Sequence, residues 1–222
     1  MTQRGIFLLF EGVDRCGKTT QSKLLYKTLN DPSSLSSSSS SSSQSAVLLH
    51  FPDRSTAIGK SIHSYLTTAD VMDDHAIHLL FSANRWEAVG KIKSILANGH
   101  HVILDRYSFS GAAFSAAKSG MSLDWCWAPE IGLPKPDAVI FLDLPVSQAS
   151  TRADFGQERY ETTEFQEKVY RNFYDIMERT TPKWHIVDAT GTIDQVHDKV
   201  VAIAKETIAR YGDSPLKYFE KL

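Results

Sequence analysis

Phe10-Glu11-Gly12-Val13-Asp14-Arg15-Cys16-Gly17-Lys18-Thr19-Thr20 holds two glycines separated by four residues, the second followed at once by lysine and threonine. That is the spacing of a phosphate-binding P-loop. The apolar run Gly5–Phe10 before it reads as a buried strand, and Thr19–Leu29 after it, with Leu24, Leu25, Thr28 and Leu29 on one side, reads as a helix. Strand, glycine loop and helix together are the context the motif needs. Glycines let successive backbone N–H groups turn inward onto phosphate oxygens, and the helix N-terminus adds its positive dipole end. Lys18 is expected to reach the β- and γ-phosphates of a nucleoside triphosphate, and the Thr19 hydroxyl to ligate Mg²⁺.

The rest of the chain alternates strand-like and helix-like segments. Strands are expected at Ala46–Phe51, His101–Asp105, Ala138–Leu144 and Trp184–Asp188. Helices are expected around Ile58–Leu66, from Asp73 to Asn98, from Thr163 to Thr180 and from Ile193 to Tyr211. This alternation predicts an α/β fold, a five-stranded, mostly parallel sheet flanked by helices, whose ligands sit at the carboxyl ends of the strands. With 222 residues, 42% of them hydrophobic, the chain is long enough for one domain spanning 1–222, with at most a mobile flap. Residues 31–45 depart from this pattern. Ser36–Ser43 is uninterrupted serine, which buries too little apolar surface to offset its ordering entropy, so the segment reads as a disordered insertion and a plain spacer.

Bulk properties narrow the function further. Net charge is −2 with no lysine–arginine run, which argues against a nucleic-acid polymer as partner. No apolar stretch approaches membrane-spanning length and the N-terminus lacks a signal-peptide core, so a soluble, cytoplasmic protein is expected, with a nuclear share left open. Cys16 and Cys126 have no metal-like spacing, and a disulfide at Cys16 would restrict the phosphate loop; a reducing compartment fits better. His75 and His78 share a helix but have no carboxylate–cysteine company, so no metal is assigned to them.

A P-loop by itself leaves kinase, GTPase, motor and sulfotransferase-like chemistry open. A GTPase needs an Asn-Lys-x-Asp element, which is absent, and a motor needs more chain. A small kinase remains. Phe51-Pro52-Asp53-Arg54 closes the second strand and Asp105-Arg106-Tyr107 the third. Each sets a guanidinium beside a carboxylate at a strand end, and two such forks facing the P-loop suit a second phosphate group. Asp105, behind mostly apolar residues, suits a water-mediated Mg²⁺ ligand.

These blocks, with His78–Glu87 (HLLFSANRWE) and Phe155-Gly156-Gln157-Glu158-Arg159-Tyr160-Glu161, closely resemble thymidylate kinases of the eukaryotic type. The likeness runs from the N-terminus to about Asp188, apart from the serine insertion. It implies a P-loop NTPase fold with a short mobile lid at about 145–166, and ATP-dependent phosphorylation of dTMP to dTDP with Mg²⁺. ATP and dTMP are the small-molecule substrates it implies, together with a homodimer through helices such as Ile58–Leu66 and Asp73–Asn98.

The resemblance also carries roles onto residues. Arg15, Cys16, Gly17, Lys18, Thr19 and Thr20 would hold ATP, with Arg152 against the adenine. Arg15 would be the transition-state arginine, acting with Lys18 and Asp105. Arg54 and Arg106 would grip the acceptor phosphate beside Phe51, and Asp14, with Gln166 nearby, would accept from the sugar 3′-hydroxyl. Phe81 would stack on thymine, Arg85 would donate to a base oxygen, and Phe114, after Ser110 and Gly111, would line the base pocket. Tyr160 would fill the space of a ribose 2′-hydroxyl. Two departures stand out. Cys16 reads as a small loop residue whose alkylation would inhibit, and Asp53 is shorter than the glutamate expected there.

Overall fold

The computed structural model describes residues 3–31, 45–68, 71–152, 156 and 158–222. The serine tract therefore lies outside the described residues, as do 153–155 and 157 of the expected lid. Five parallel strands, β1 (Phe7–Glu11), β2 (Ala46–His50), β3 (His101–Asp105), β4 (Ala138–Asp143) and β5 (Lys183–Asp188), form one sheet in the order β2-β3-β1-β4-β5. The expected architecture and all five strands are present.

Strand side chains alternate between faces, and the central strands are apolar at nearly every position because both faces are covered. Phe7, Leu9, Val102, Leu104, Val139 and Phe141 share one core with Ile92, Phe109, Val169 and Phe173. Those partners come from α4 (Val89–Ala97), α5 (Ser108–Ala116) and α8 (Thr163–Arg179). Ile6, Leu8, Phe10, Ile103, Ile140 and Leu142 face the other way. They pack on Leu25 of α1 (Lys18–Asn30) and on Val196, Val200 and Ala204 of α9 (Ile193–Tyr211). From β1 the chain leaves toward β2 at one edge, and from β4 toward β5 at the other. The crevice at this divide is where such sheets bind ligands.

The helix expected over Asp73–Asn98 is two helices. α3 (Asp74–Trp86) ends, Glu87 and Ala88 turn, and α4 begins at Val89. The break is held by side chains that periodicity cannot show. Glu87 Oε1 accepts from Asn84 Nδ2 at 2.6 Å and Thr56 Oγ1 at 2.7 Å, while Trp86 Nε1 donates to the Pro129 carbonyl at 2.7 Å. The buried face of α3 is also more polar than its apolar spacing implied: His78, Asn84 and Arg85 are buried, while Trp86 is exposed. Helix α2 (Ala57–Thr67) matches its expected apolar residues, burying Ile62, Tyr65 and Leu66. No periodic stripe announces α5, because it is buried on most sides. It is followed by the short α6 (Leu123–Trp127), and α7 (Val146–Ala149) follows β4.

His101 opens β3 almost fully buried, and its Nδ1 accepts from the Ile6 backbone N–H at 3.1 Å. Burial pushes its pKa down from 6.5 to about 4. The unfolded chain therefore takes up the proton first as pH falls, so stability is full above about 6.5 and is lost progressively toward 4. Between pH 7 and 5 the wild type should lose about 1–2 kcal/mol more than His101→Gln, which keeps an acceptor without a titrating ring. Urea unfolding midpoints at the two pH values test this; equal losses in both proteins would remove His101 as the cause.

Candidate active site

Past Glu11 the chain turns through Gly12 (φ 142°), Arg15 (φ 61°) and Gly17 (φ 105°) into α1. A Cβ at Gly12 would stand 2.8 Å from the Leu142 carbonyl oxygen, so that position demands glycine for space as well as for backbone. Lys18 is 4% exposed and folds back across the loop, donating to the Gly12 and Val13 carbonyls at 3.0 and 2.6 Å. Parallel register sets Phe10 beside Asp105, bringing the end of β3 to the start of α1. There Thr19 Oγ1 donates to Asp105 Oδ2 at 2.6 Å, while Asp105 Oδ1 is buried with no hydrogen-bond partner among the described residues. Thr20 lies exposed on the first turn of α1.

Cys16 keeps the small size that its place in the loop requires. Cys16 is buried, and its thiol packs into the core beneath the loop, 3.5 Å from Lys18 Nζ.

The second set gathers on Arg106, which itself adopts a left-handed backbone (φ 66°). Its guanidinium pairs with Asp14, reaches Ser110 Oγ at 3.3 Å and lies over the Phe114 ring at 5.3 Å. Burial works against the Arg106 charge, but Asp14, Asp105 and Glu11 around it hold its pKa above the ordinary arginine value. Gln166 braces Asp14 from α8, donating Nε2 to Asp14 Oδ2 at 2.6 Å and accepting from the Asp14 N–H at 2.9 Å. Beneath Arg106 sits Glu11, fully buried, accepting from the Tyr107 and Ser110 N–H groups at 3.0 Å each and from the Ser110 hydroxyl. Burial raises its pKa against those hydrogen bonds. Glu11 thereby satisfies the free N–H groups at the start of α5 and fixes the Arg106 turn.

A cavity of about 410 Å³ opens from this point. Its lining combines the polar Asp14, Thr19, Arg54, Asp105, Arg106 and Ser110 with Phe51, Phe81, Arg85, Gly111, Phe114 and Tyr160. Arg85 enters with two nitrogens engaged: Nε and one terminal nitrogen donate to Glu130 at 2.7 and 2.6 Å, both residues being essentially unexposed. Gly111 makes room for it, since a Cβ there would lie 2.5 Å from the guanidinium. Tyr160 stacks on Phe165 with ring centroids 5.0 Å apart and donates to Tyr65 Oη at 3.0 Å. Its pKa is raised by burial and by that bond.

Arg15, Cys16, Gly17, Lys18, Thr20, Arg152 and Gln166 do not line this cavity; all but Arg152 and Gln166 belong to the loop itself. Arg15 turns to Glu161, Nε to Oε1 at 2.9 Å, and Arg54 to Glu158 at 2.7 Å, so each of these arginines meets a carboxylate from the 145–166 segment. Arg152 donates to the Arg15 carbonyl at 2.8 Å, lying across the loop. Asp53 is occupied locally, its Oδ1 accepting from the Ser55 N–H and hydroxyl at 3.0 and 2.6 Å, which lowers its pKa. Glu11, Glu130 and the pair His78–Ser115 escaped the sequence reading. Only Glu11 carried a signal, as a charge ending an apolar strand; Glu130 lies 45 residues from Arg85 and is joined to it by folding alone.

Comparison with known proteins places this geometry. The sequence profile described as thymidylate kinase matches residues 10–200. The thymidylate kinase of Homo sapiens is 45% identical over 214 residues, covering 96% of each chain. That of Caenorhabditis elegans is 44% identical over 220 residues, covering 99% of this chain and 98% of its own. A solved thymidylate kinase structure from Candida albicans superposes with a TM-score of 0.81 at 38% identity, covering 100% of this chain and 99% of that one. On the profile match and these identities, the chain belongs to the thymidylate kinase family.

Proposed function

We propose that this cavity holds dTMP against ATP bound on the P-loop, and that the chain transfers the γ-phosphoryl group to the dTMP phosphate to give dTDP. The observation that carries the residue assignment is that a single cavity is lined both by Thr19 and Asp105, beside the loop, and by Phe81 and Tyr160. Arg54 and Arg106 hold the acceptor phosphate where the loop delivers the donor. The acceptor is already an anion, so no general base is required, and catalysis reduces to positioning and neutralising charge. Asp14, fixed by Gln166 and Arg106, takes the sugar hydroxyl. Phe81 and Phe114 present faces to the base, Arg85 directs its charge to a base oxygen, and Tyr160 closes the space a 2′-hydroxyl would need.

The oxygen donors at the loop fit Mg²⁺. Thr19 Oγ1 and Asp105 make an all-oxygen pair, and the buried, unpartnered Asp105 Oδ1 is an acceptor that a hydrated cation satisfies. When bound, the ion would supply positive charge that offsets the charge of the phosphates. Residues 145–166 act as a lid in this reading, and the Arg15–Glu161 and Arg54–Glu158 pairs tie that segment to the loops beneath it. Two free, buried cysteines suit the reducing cytoplasm. No helix among the described residues is long and apolar enough to cross a membrane.

ADP release with Mg-ATP and, separately, dTMP, dUMP, dGMP, UMP and thymidine tests the assignment. Strong preference for dTMP is expected. Equal use of UMP would overturn the role of Tyr160, and absence of acceptor-dependent ADP would leave only a nucleotide-binding protein. We further propose a homodimer through the α2–α3 side, where Leu79 and Trp86 stay exposed. Sedimentation should give twice the chain mass, and Leu79→Glu should shift it to the monomer; a wild-type monomer at micromolar concentration would refute this.

A further inference from the structure

Residues 213–222, which follow α9, are fastened along their length although they form no helix. Arg4 Nε donates to the Ser214 carbonyl at 2.5 Å. Farther on, the segment runs antiparallel to residues 132–135. The Lys135 N–H donates to the Lys217 carbonyl at 2.8 Å, the Phe219 N–H to the Leu133 carbonyl at 2.9 Å, and the Gly132 N–H to the Phe219 carbonyl at 2.9 Å. Trp127 Nε1 adds a bond to the Glu220 carbonyl at 2.8 Å. Phe219 is 4% exposed and lies in the core, with Leu216 and Leu222 packed against it.

Two routes lead from this segment to the cavity. In the first, the Phe219 ring meets Tyr107 at 6.1 Å between centroids, and Tyr107 in turn meets Phe7 and Phe51 at 5.7 Å each. Tyr107 is buried, and its hydroxyl has no hydrogen-bond partner among the described residues, so packing alone places the ring. Tyr107 directly follows Arg106, whose left-handed backbone persists only where its surroundings over-determine it. In the second route, Trp127 and Gly132 bond to the segment on either side of Glu130, the partner of Arg85. The phosphate loop rests elsewhere. Val13, Cys16 and Leu25 pack into the core on the opposite face of the sheet, which includes no residue of 213–222.

We propose that residues 213–222 form a strap that sets both acceptor-side arginines, Arg106 and Arg85, with Phe219 as its positioning residue. The proposal rests on the reading that these arginines hold dTMP. Removing the Phe219 ring leaves Tyr107 without its support on that side, and the Arg106 turn relaxes with it. A fork displaced by about an ångström from its phosphate loses much of its effect. ATP, held by a loop built on the other core, is spared.

The test is KM for dTMP and for ATP, measured separately in wild type, Phe219→Ala, Phe219→Leu and Val200→Ala. Val200 is fully buried in the opposite core, so its truncation weakens packing without touching the strap. Phe219→Ala should raise KM for dTMP about tenfold and leave KM for ATP within about twofold. Phe219→Leu, which refills most of the volume, should return it to within about threefold, and Val200→Ala should move neither value. If Phe219→Ala does not fold, as judged by its thermal transition, Phe219→Val takes its place, with a rise of about threefold expected. Parallel rises in both KM values, or the same selective rise in Val200→Ala, would overturn the proposal. No dTMP-dependent ADP from the wild type would overturn the active-site reading and this one with it. Normal wild-type turnover with an unchanged dTMP KM in the folded Phe219 variant would overturn this one alone.

Discussion

Arg15→Ala should lose about 10³–10⁵ in kcat while the KM for dTMP stays within about threefold. The reason lies in where the side chain sits. Arg15 is inside the phosphate loop at φ 61°, a left-handed backbone that a non-glycine residue adopts only when its surroundings impose it. Alanine there meets the same backbone cost, so the substitution removes the guanidinium and little else. The side chain is absent from the cavity proposed to hold dTMP and is partnered by Glu161 from the proposed lid segment. Glu161 keeps other partners when Arg15 is gone, accepting from the Gly156 and Glu158 N–H groups at 3.0 and 3.3 Å. The lid segment should therefore keep its local shape, and ground-state binding of the acceptor should survive. In the proposed mechanism, what disappears is a positive fork over phosphate oxygens as charge redistributes between donor and acceptor. Arg15→Lys returns the charge without the fork and should recover part of the rate. Single-turnover kinetics with saturating dTMP measure this directly. A kcat within tenfold of wild type would assign the transition-state charge to another residue.

The glycine loop, the five strands and the Asp-Arg strand ends were legible because each is local: backbone need, apolar alternation and a motif at fixed spacing. Parallel register then joins them, since pairing Phe10 with Asp105 automatically brings Thr19 to the Asp105 carboxylate. What stayed illegible was set by contacts distant in sequence. The helix over Asp73–Asn98 breaks at Glu87, whose carboxylate is drawn to the Asn84 and Thr56 side chains, whereas its apolar residues continue at helical spacing on both sides. Helix α5 carries Ser110, Gly111 and Phe114, yet it has no polar stripe, because its N-terminus is satisfied by Glu11 and its sides are covered. The side chain of Cys16 points into the core, a direction the loop motif does not specify. The carboxylates opposite Arg15, Arg54 and Arg85 are equally beyond any periodicity, though they decide what each arginine does before substrate arrives.

Arg85 shows the consequence most plainly, and its removal should have the largest effect on stability. Arg85→Ala is expected to destabilise the fold by about 3–5 kcal/mol, because Glu130 is left ionised and unpaired in a site with no solvent exposure. The pair itself adds little net stability, since desolvating two charges offsets most of their attraction; the cost comes from breaking it on one side only. Arg85→Ala combined with Glu130→Gln removes the stranded charge and should recover most of the loss. The two effects of Arg85 then separate. Stability should return in the double variant, whereas dTMP recognition should not, since the donor proposed to face the base is still missing. Urea midpoints with unchanged slopes, measured beside kcat/KM for dTMP, distinguish the two. A single variant destabilised by less than about 1 kcal/mol would mean that Glu130 finds a proton or another partner, and the buried pair would then serve recognition alone.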